Sequence, residues 1–178
     1  LRQLNDCLIG DQYVPGNMEE ILDSLGKAGL FSTFDISAGF WGVKVRESDR
    51  KYLAFRAVWQ GHWDLFEFAR MPFGLKNATA DFSRMYQKVL GPTHEEPRGL
   101  LGKICLVWVD DNVIYSDLQP TREEQWTRHM EDICKVLRRV AANKMCIKPN
   151  KCLWATDTLP FLGQLVLAGK GYKPDPTK

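Results

Sequence analysis

The sequence predicts an α+β fold built on a split β-α-β-β-α-β unit with an antiparallel sheet. Three observations support this prediction. Several short runs are rich in Val, Ile and aromatic residues, as strands are. Two segments repeat apolar residues every three or four positions, as helices do, and Pro, Gly, Asn and Asp separate the segments at turns. A chain of 178 residues that is 44% hydrophobic and 26% charged is long enough to form one core.

The predicted unit begins with a strand and ends with one, and two helices lie between. In chain order its elements are strand 31–36, helix 79–90, strand 103–109, strand 112–116, helix 121–142 and a strand near residue 146. Thr121 and Glu124 form a capping-box pattern at the start of the longer helix. An apolar stripe along that helix is predicted to pack in the core; its members are Trp126, Met130, Ile133, Leu137 and Val140.

Other segments lie outside this unit. A short helix is expected to begin after Asn17. Alternating or aromatic-rich patterns predict further strands at residues 41–46, 53–58, 62–68, 152–155 and 161–167. The tail 173–176 contains two prolines, which lack the N–H group that a sheet requires, so we expect no strand there.

Three aspartates are expected to meet at one end of the sheet. Right-handed crossovers would place the third strand of the unit between the first and the second. Asp35, at the end of the first strand, would then lie beside Asp110 and Asp111, at the turn between the other two. Three converging carboxylates suit two Mg²⁺ ions roughly 3.5–4 Å apart, and Mn²⁺ accepts the same oxygen ligands. The alternative is that Asp110 and Asp111 only form a turn, to which such residues are well suited.

Positive charge is concentrated near the C-terminus. Residues 1–134 carry 15 basic and 20 acidic side chains, whereas residues 135–178 carry 9 and 2. This asymmetry indicates contact with a polyanion, with a solvated basic surface as the alternative. No run approaches the roughly 18 apolar residues that a membrane-spanning helix requires, so we expect no membrane partner.

Four motifs follow one another along the chain: Phe31–Phe40, Met71–Leu75, Trp108–Asp111 and Phe161–Gly163. In order and spacing they resemble the reverse transcriptases of LTR retrotransposons, and gypsy-type elements are the most similar. The resemblance extends from about Leu4 to Pro176. It implies a polymerase palm with a ferredoxin-like antiparallel sheet and partial fingers. Residues 1–30 and 40–78 would form the fingers, and residues 31–39 and 79–178 the palm, which would end at the start of a missing thumb.

The resemblance also implies roles for individual residues. Asp35, Asp110 and Asp111 match the catalytic, metal-binding carboxylates of the palm. Phe40 matches the aromatic residue that lies under the incoming sugar and excludes a ribose 2′-hydroxyl; its alternative role is core packing. Phe73 and Lys76 match the loop that borders the incoming dNTP, and a solvated lysine is the alternative for Lys76. Contacts with primer and template are implied for Trp108, Phe161, Leu162 and Gly163.

One position in the third motif and the position directly after it differ from the family pattern. Trp108 stands where tyrosine is usual, and Asn112 stands where an aliphatic residue is usual. The basic C-terminal segment is expected to bind the phosphate backbone of nucleic acid through Arg138, Arg139, Lys144, Lys148, Lys151, Lys170 and Lys173.

The implied activity is RNA-directed DNA polymerisation, in which the 3′-hydroxyl of a primer on an RNA or DNA template attacks a dNTP. The expected partners are therefore primer–template, dNTPs and the other domains of a retrotransposon polyprotein (thumb, RNase H and integrase). The expected location is intracellular, in cytoplasmic virus-like particles or the nucleus. Two alternatives stay open: a decayed or repurposed module that binds without catalysis, and a two-metal nuclease.

Overall fold

A computed structural model describes residues 1–11, 13, 16–37 and 39–177 of the chain. Ala38, in the first of the four motifs, lies outside the described residues. The chain divides into two compact units, which are described separately: Leu1–Tyr13 with Ala38–Met85, and Val14–Ser37 with Tyr86–Lys178. The assignment of fingers and palm to particular residues stays a prediction. None of the helices in the described ranges has the length and apolar character needed to cross a membrane.

The described residues contain four α-helices and nine strands. The helices are α1 (Arg2–Cys7), α2 (Met18–Gly26), α3 (Ala78–Leu90) and α4 (Arg122–Ala142). The strands are β1 (Ala28–Phe34), β2 (Ala54–Trp59), β3 (His62–Glu67), β4 (Cys105–Trp108), β5 (Asp111–Asp117), β6 (Leu153–Thr156), β7 (Thr158–Phe161), β8 (Gln164–Leu167) and β9 (Gly171–Pro174). Short 3₁₀ helices cover Phe40–Gly42, Glu47–Leu53 and Pro149–Lys151.

The main sheet of the second unit confirms the predicted strand order. Its order is β4-β5-β1-β6, and all neighbouring strands are antiparallel. The third strand of the predicted unit, β5, therefore lies between the first and the second. The last strand forms later than predicted, because the chain near residue 146 makes only an isolated bridge between Ile36 and Ile147 before β6 joins the sheet.

One face of this sheet forms the apolar core of the second unit. Side chains alternate across a strand, and Phe31 and Tyr115, which are paired between β1 and β5, both belong to this face. Helix α2 and the small sheet β7-β8-β9 supply the opposing side chains. The buried cluster consists of Leu22, Leu25, Ala28, Phe31, Val113, Tyr115, Leu159, Phe161 and Val166.

The prediction that the tail 173–176 forms no strand was wrong. Residues Lys173 and Pro174 belong to β9, which pairs with β8 and lies at the edge of the small sheet. Proline is tolerated there because an edge strand has one side that needs no N–H donor, and Pro174 is the final residue of the strand.

Helix α4 confirms the predicted start and corrects the predicted buried face. The Thr121 side chain accepts a hydrogen bond from the backbone of Glu124, and the Glu124 carboxylate accepts one from the Thr121 backbone, which completes the capping box. Two predicted core residues are exposed, with 43% of Trp126 and 47% of Met130 accessible. The buried face instead contains Gln125, His129, Asp132, Ile133, Val136 and Val140.

This face of α4 can bury polar side chains because the sheet offers them hydrogen-bonding partners. Ser116 on β5 donates a hydrogen bond to Asp132 Oδ2 at 2.8 Å and lies 2.8 Å from His129 Nδ1. Since the single hydroxyl proton of Ser116 goes to Asp132, Nδ1 of His129 must donate to Ser116. His129 Nε2 then accepts from Ser32 on β1, 2.8 Å away, and Ser32 Oγ accepts from the backbone N–H of Ala155 on β6. These four side chains have no exposed surface, so every bond is needed.

In the first unit, β2 and β3 form the predicted hairpin, but the predicted strand at residues 41–46 was wrong. The chain there forms a 3₁₀ helix, and only a bridge between Lys44 and Arg70 is made. The ring centroids of Phe40 and Trp41 lie 5.3 and 5.8 Å from that of Phe73. Adjacent side chains in a strand point to opposite faces, so a strand could not place both rings against Phe73.

The His129 network predicts a loss of stability in mild acid. Burial lowers the pKa of His129 below its ordinary value, although the Asp132 charge raises it. The unfolded chain therefore binds this proton more readily, and the free energy of unfolding should fall as the pH drops below about 6.5, by at most about 1.4 kcal/mol per pH unit. Urea unfolding between pH 7.5 and 5 measures this dependence. His62→Gln, at an exposed histidine, should keep the slope and His129→Gln should lose it; an equal slope in both variants contradicts the prediction.

Candidate active site

The end of β1 and the loop between β4 and β5 lie side by side. Phe34, the last residue of β1, pairs with Asn112 on β5, and Trp108 pairs with Asp111 across the β4–β5 hairpin. Asp35 follows Phe34 directly, so the same register extended by one residue places it opposite Asp111. Asp110 lies in the two-residue hairpin loop. The backbone segments that carry the three aspartates therefore lie at the end of the sheet where β1 meets this hairpin.

Asn112 joins the two carboxylate-bearing segments. Its side-chain amide donates to the carbonyl oxygen of Phe34 at 3.0 Å and to that of Asp110 at 3.1 Å. The residue is only 2% exposed, so these bonds are protected from competing water. In the sequence Asn112 was only a departure from the family pattern. The available signal was a polar residue at a position where an apolar one is usual, next to two carboxylates.

Tyr86 on α3 is a buried phenol near this end of the sheet. Burial is the main cause that raises the pKa of its hydroxyl far above the ordinary value, while a hydrogen bond with Asn112 lowers it. The charges of Asp110 and Asp35 raise this pKa further. A neutral phenol beside two carboxylates can serve as a hydrogen-bond donor and is not itself a base at neutral pH.

The Asp35 carboxylate is paired with two lysines. Lys148 Nζ lies 3.5 Å from Oδ1, and Lys151 Nζ lies 3.5 Å from Oδ2. Lys151, predicted to bind the primer or template, is thus held at the candidate catalytic carboxylate. Arg139 also has partners within the chain, because its guanidinium donates to the carbonyl oxygens of Val89, in the last turn of α3, and of Gly91, just after it. It is therefore a structural residue of the basic segment.

These residues fit a divalent cation at Asp35 and Asp110. Carboxylate oxygens are the ligands that Mg²⁺ prefers, and Asp35 already attracts two positive groups, one at each oxygen. Among the described residues, no three His, Cys, Asp or Glu side chains are arranged to hold one metal ion. The prediction that all three aspartates converge on metal ions is thus not confirmed by the geometry and stays a prediction.

The residues predicted to hold the primer pack together in the second unit. Phe161 is buried at the end of β7, and Leu162 and Gly163 form the turn to β8, with positive φ angles of 49° and 77°. Two consecutive residues of positive φ are typical of the tight turns that close hairpins. Trp108 and Leu162 are both half-buried against the same apolar cluster. The hairpin turn and the third motif therefore pack on the same part of the core.

The residues predicted to bind dNTP lie in the first unit. The Phe40 ring packs against Phe73 and also against Phe82, whose centroid is 4.9 Å away. A Cβ atom on Gly39 would lie 2.7 Å from Cζ of Phe82, so only glycine permits this arrangement. Phe73 is 60% exposed, so much of its ring is available to a ligand. Both predicted roles of Phe40, packing and sugar contact, are compatible with its partial burial.

Lys76 and its loop are fastened to the N-terminal segment. The Lys76 ammonium donates to the carbonyl oxygen of Leu8 at 3.1 Å. Neither of the two predicted roles of Lys76, dNTP binding and a solvated side chain, included this bond. The Asn5 side chain donates to the Gly74 carbonyl at 2.7 Å and accepts from the Lys76 backbone at 2.9 Å. Asn5 therefore fixes the backbone of the loop, a role that the sequence analysis did not identify because Asn5 is 71 residues away.

Residues 1–166 match the family model described as reverse transcriptase (RNA-dependent DNA polymerase). The chain is 36% identical over 177 residues to the retrovirus-related Pol polyprotein from transposon 297 of Drosophila melanogaster. It is 34% identical over 177 residues to that from transposon gypsy of the same species. In each case 99% of this chain is covered and it spans 15% of the polyprotein.

A solved structure has a similar fold. The foamy viral protease–reverse transcriptase in complex with double-stranded DNA matches with a TM-score of 0.76 and 20% sequence identity, over 99% of this chain and 27% of that one. The identity is low, so this likeness supports the α+β fold alone. Since the family model covers nearly the whole sequence and gypsy-type relatives exceed 30% identity, the chain belongs to the reverse transcriptase (RNA-dependent DNA polymerase) family.

Proposed function

We propose that this chain is the palm, with part of the fingers, of an RNA-directed DNA polymerase from a retrotransposon polyprotein. The observation that carries the proposal is the position of Asp35 and Asp110 at one end of the sheet, set by the pairing of Phe34 with Asn112 and by the β4–β5 hairpin. Asn112 joins the two segments that carry them. The reaction joins a dNTP to the 3′-hydroxyl of a primer and releases pyrophosphate.

Asp35 and Asp110, with Asp111 beside them, would hold two Mg²⁺ ions, or Mn²⁺ in their place. When bound, these ions supply activation of the 3′-hydroxyl and neutralise charge on the phosphates. The chain itself supplies rigid placement, because Asp35 follows a strand paired on both edges and Asn112 fixes the loop of Asp110. Placement and electrostatics are the main requirements of phosphoryl transfer.

Substrate and nucleic acid would be positioned by the remaining predicted residues. Phe40, Phe73 and Lys76 would border the dNTP, and the Phe40 ring would lie where a ribose 2′-hydroxyl clashes. Trp108 and the turn at residues 161–163 would hold the primer end, and the foamy viral enzymes bound to double-stranded DNA and to an RNA/DNA hybrid support nucleic acid as the partner. The relatives are polyproteins, so other domains of one polypeptide would be further partners, and we propose thumb, RNase H and integrase for them.

Replacement of the carboxylates should abolish polymerisation. Asp35→Asn and Asp110→Asn each remove a charged metal ligand, so the rate of Mg²⁺-dependent primer extension on an RNA template should fall at least about 100-fold. The chain is assayed within its parent polypeptide. Asp157→Asn, at a surface ion pair with Arg122 on the second unit, is the control and should extend normally. Template degradation without extension would favour a nuclease, and a wild type that binds primer–template without either reaction would favour a non-catalytic module.

Replacement of Phe40 should relax sugar selection. Phe40→Val shortens the side chain beneath the sugar, so discrimination against ribonucleotides, measured as the ratio of kcat/KM for dNTP and rNTP, should fall roughly tenfold or more. Phe82→Val removes a ring that packs on Phe40 and serves as the control for lost packing. A similar loss of discrimination in both variants would assign Phe40 to the core and not to sugar selection.

A further inference from the structure

Asp35 receives both of its cationic partners from one short segment. Lys148 precedes the 3₁₀ helix Pro149–Lys151 and Lys151 is its last residue, and each ammonium lies nearest a different oxygen of the carboxylate. Two ammonium groups carry the same formal charge as one divalent cation. The chain thus places a charge of +2 at the residue proposed to bind such a cation.

Backbone bonds hold this segment in place. The N–H of Lys148 donates to the carbonyl oxygen of Asp35 at 2.8 Å, and the N–H of Ser37 donates to that of Cys146 at 2.7 Å. Within the segment, the N–H of Lys151 donates to the Lys148 carbonyl at 2.9 Å. The backbone of the two lysines is therefore held beside Asp35 by an extension of the sheet. Their contact with the carboxylate does not depend on the side-chain conformations alone.

The pairing is suited to exchange. The side chains of Asp35, Lys148 and Lys151 are 34%, 39% and 60% exposed. Ion pairs with this much solvent contact are weak, because water and salt screen the charges. A divalent cation that binds the carboxylate directly competes with both ammonium groups, and each lysine has a long, flexible stem that allows its head to move away.

We propose that Lys148 and Lys151 form a displaceable cation pair that neutralises Asp35 until a divalent cation takes their place. The exchange releases two ammonium groups beside the site, where they can contact the phosphates of the dNTP or of the nucleic acid. This proposal rests on the proposed function in one respect, that Asp35 binds the cation. A cation pair of this kind makes metal binding and phosphate binding mutually supportive, since each lysine that leaves Asp35 becomes available to an anion.

The direction in which loss of the two lysines changes the affinity for Mn²⁺ tests the proposal. Mn²⁺ binding to this chain is measured by electron paramagnetic resonance of the free ion. The double variant Lys148→Gln/Lys151→Gln removes the competitors, so its affinity for Mn²⁺ should rise at least threefold. Lys170→Gln/Lys173→Gln makes the same change in net charge at exposed lysines of the other sheet and should change the affinity less than twofold. If the lysines only supported Asp35, their loss would weaken binding, which would overturn the proposal.

Lysine reactivity gives a second readout that needs no variant. Limited acylation followed by mass spectrometry should show Lys148 and Lys151 becoming at least twice as reactive when Mg²⁺ is added. Lys135 is the matched control, because it lies 3.6 Å from Asp132 in a similar ion pair and is 43% exposed, away from the site. Unchanged reactivity of Lys148 and Lys151 at saturating Mg²⁺ would overturn the exchange.

Asp35→Asn separates the two proposals. If this variant loses Mn²⁺ binding while the lysine variant binds as wild type does, the displaceable pair is wrong and the metal role of Asp35 stands. If Asp35→Asn binds Mn²⁺ as tightly as wild type, no cation is held by Asp35, and both the exchange and the metal assignment fail. Thermal unfolding monitored by circular dichroism verifies that each variant is folded.

Discussion

The antiparallel pairing of β1 with β5 is the constraint on which the candidate site depends. It places Phe34 opposite Asn112, and the Asn112 amide then binds the carbonyl oxygens on both sides of the site. A slip of one residue would exchange the two faces of the sheet, moving Phe31 out of the apolar cluster and Ser32 into it. Because this exchange would destabilise both faces, packing of the core determines the register of β1 and β5. The register in turn determines the position of Asp35.

The polar face of the sheet contributes to the same constraint. Ser32, Ser116, His129 and Asp132 form a connected set of buried hydrogen bonds that links β1, β5 and α4. Asp132 is fully buried and is also paired with Arg128 at 3.2 Å. Groups of this kind are costly to bury without partners, so the network stabilises only one arrangement of helix and sheet. The exposed end of the sheet, where chemistry is proposed, is therefore supported by a rigid interior.

Charge at the sheet end is handled differently from charge in the interior. Asp132 is fully buried and accepts a hydrogen bond from the buried Ser116, whereas Asp35 is partly exposed and is paired with two lysines on flexible stems. A carboxylate that must bind and release a cation is better served by weak, screened partners than by buried ones. The contrast between these two aspartates distinguishes a structural carboxylate from a candidate catalytic one within a single unit of the fold.

Sequence patterns predicted the β-α-β-β-α-β order, the capping box at Thr121 and the meeting of β1 with the hairpin that carries Asp110, because these follow from local preferences and crossover handedness. They failed where a partner distant in sequence decides the outcome. Trp126 and Met130 were predicted to lie in the core but are exposed, because the serines of the sheet form hydrogen bonds with the polar side of α4. The 3₁₀ helix at Phe40 depends on ring contacts with Phe73, 33 positions later in the numbering.

The sequence by itself determined the fold class, the family and the identity of the candidate carboxylates, because motif order and periodicity are properties of the chain. Only the tertiary structure decided what lies next to each carboxylate. Lys148 and Lys151 carry no signal that directs them to Asp35, and Asn112 carries none that directs it to the carbonyl of Phe34. Such contacts arise when the sheet brings together residues far apart in the chain, and this proximity is the physical reason that local patterns cannot encode them.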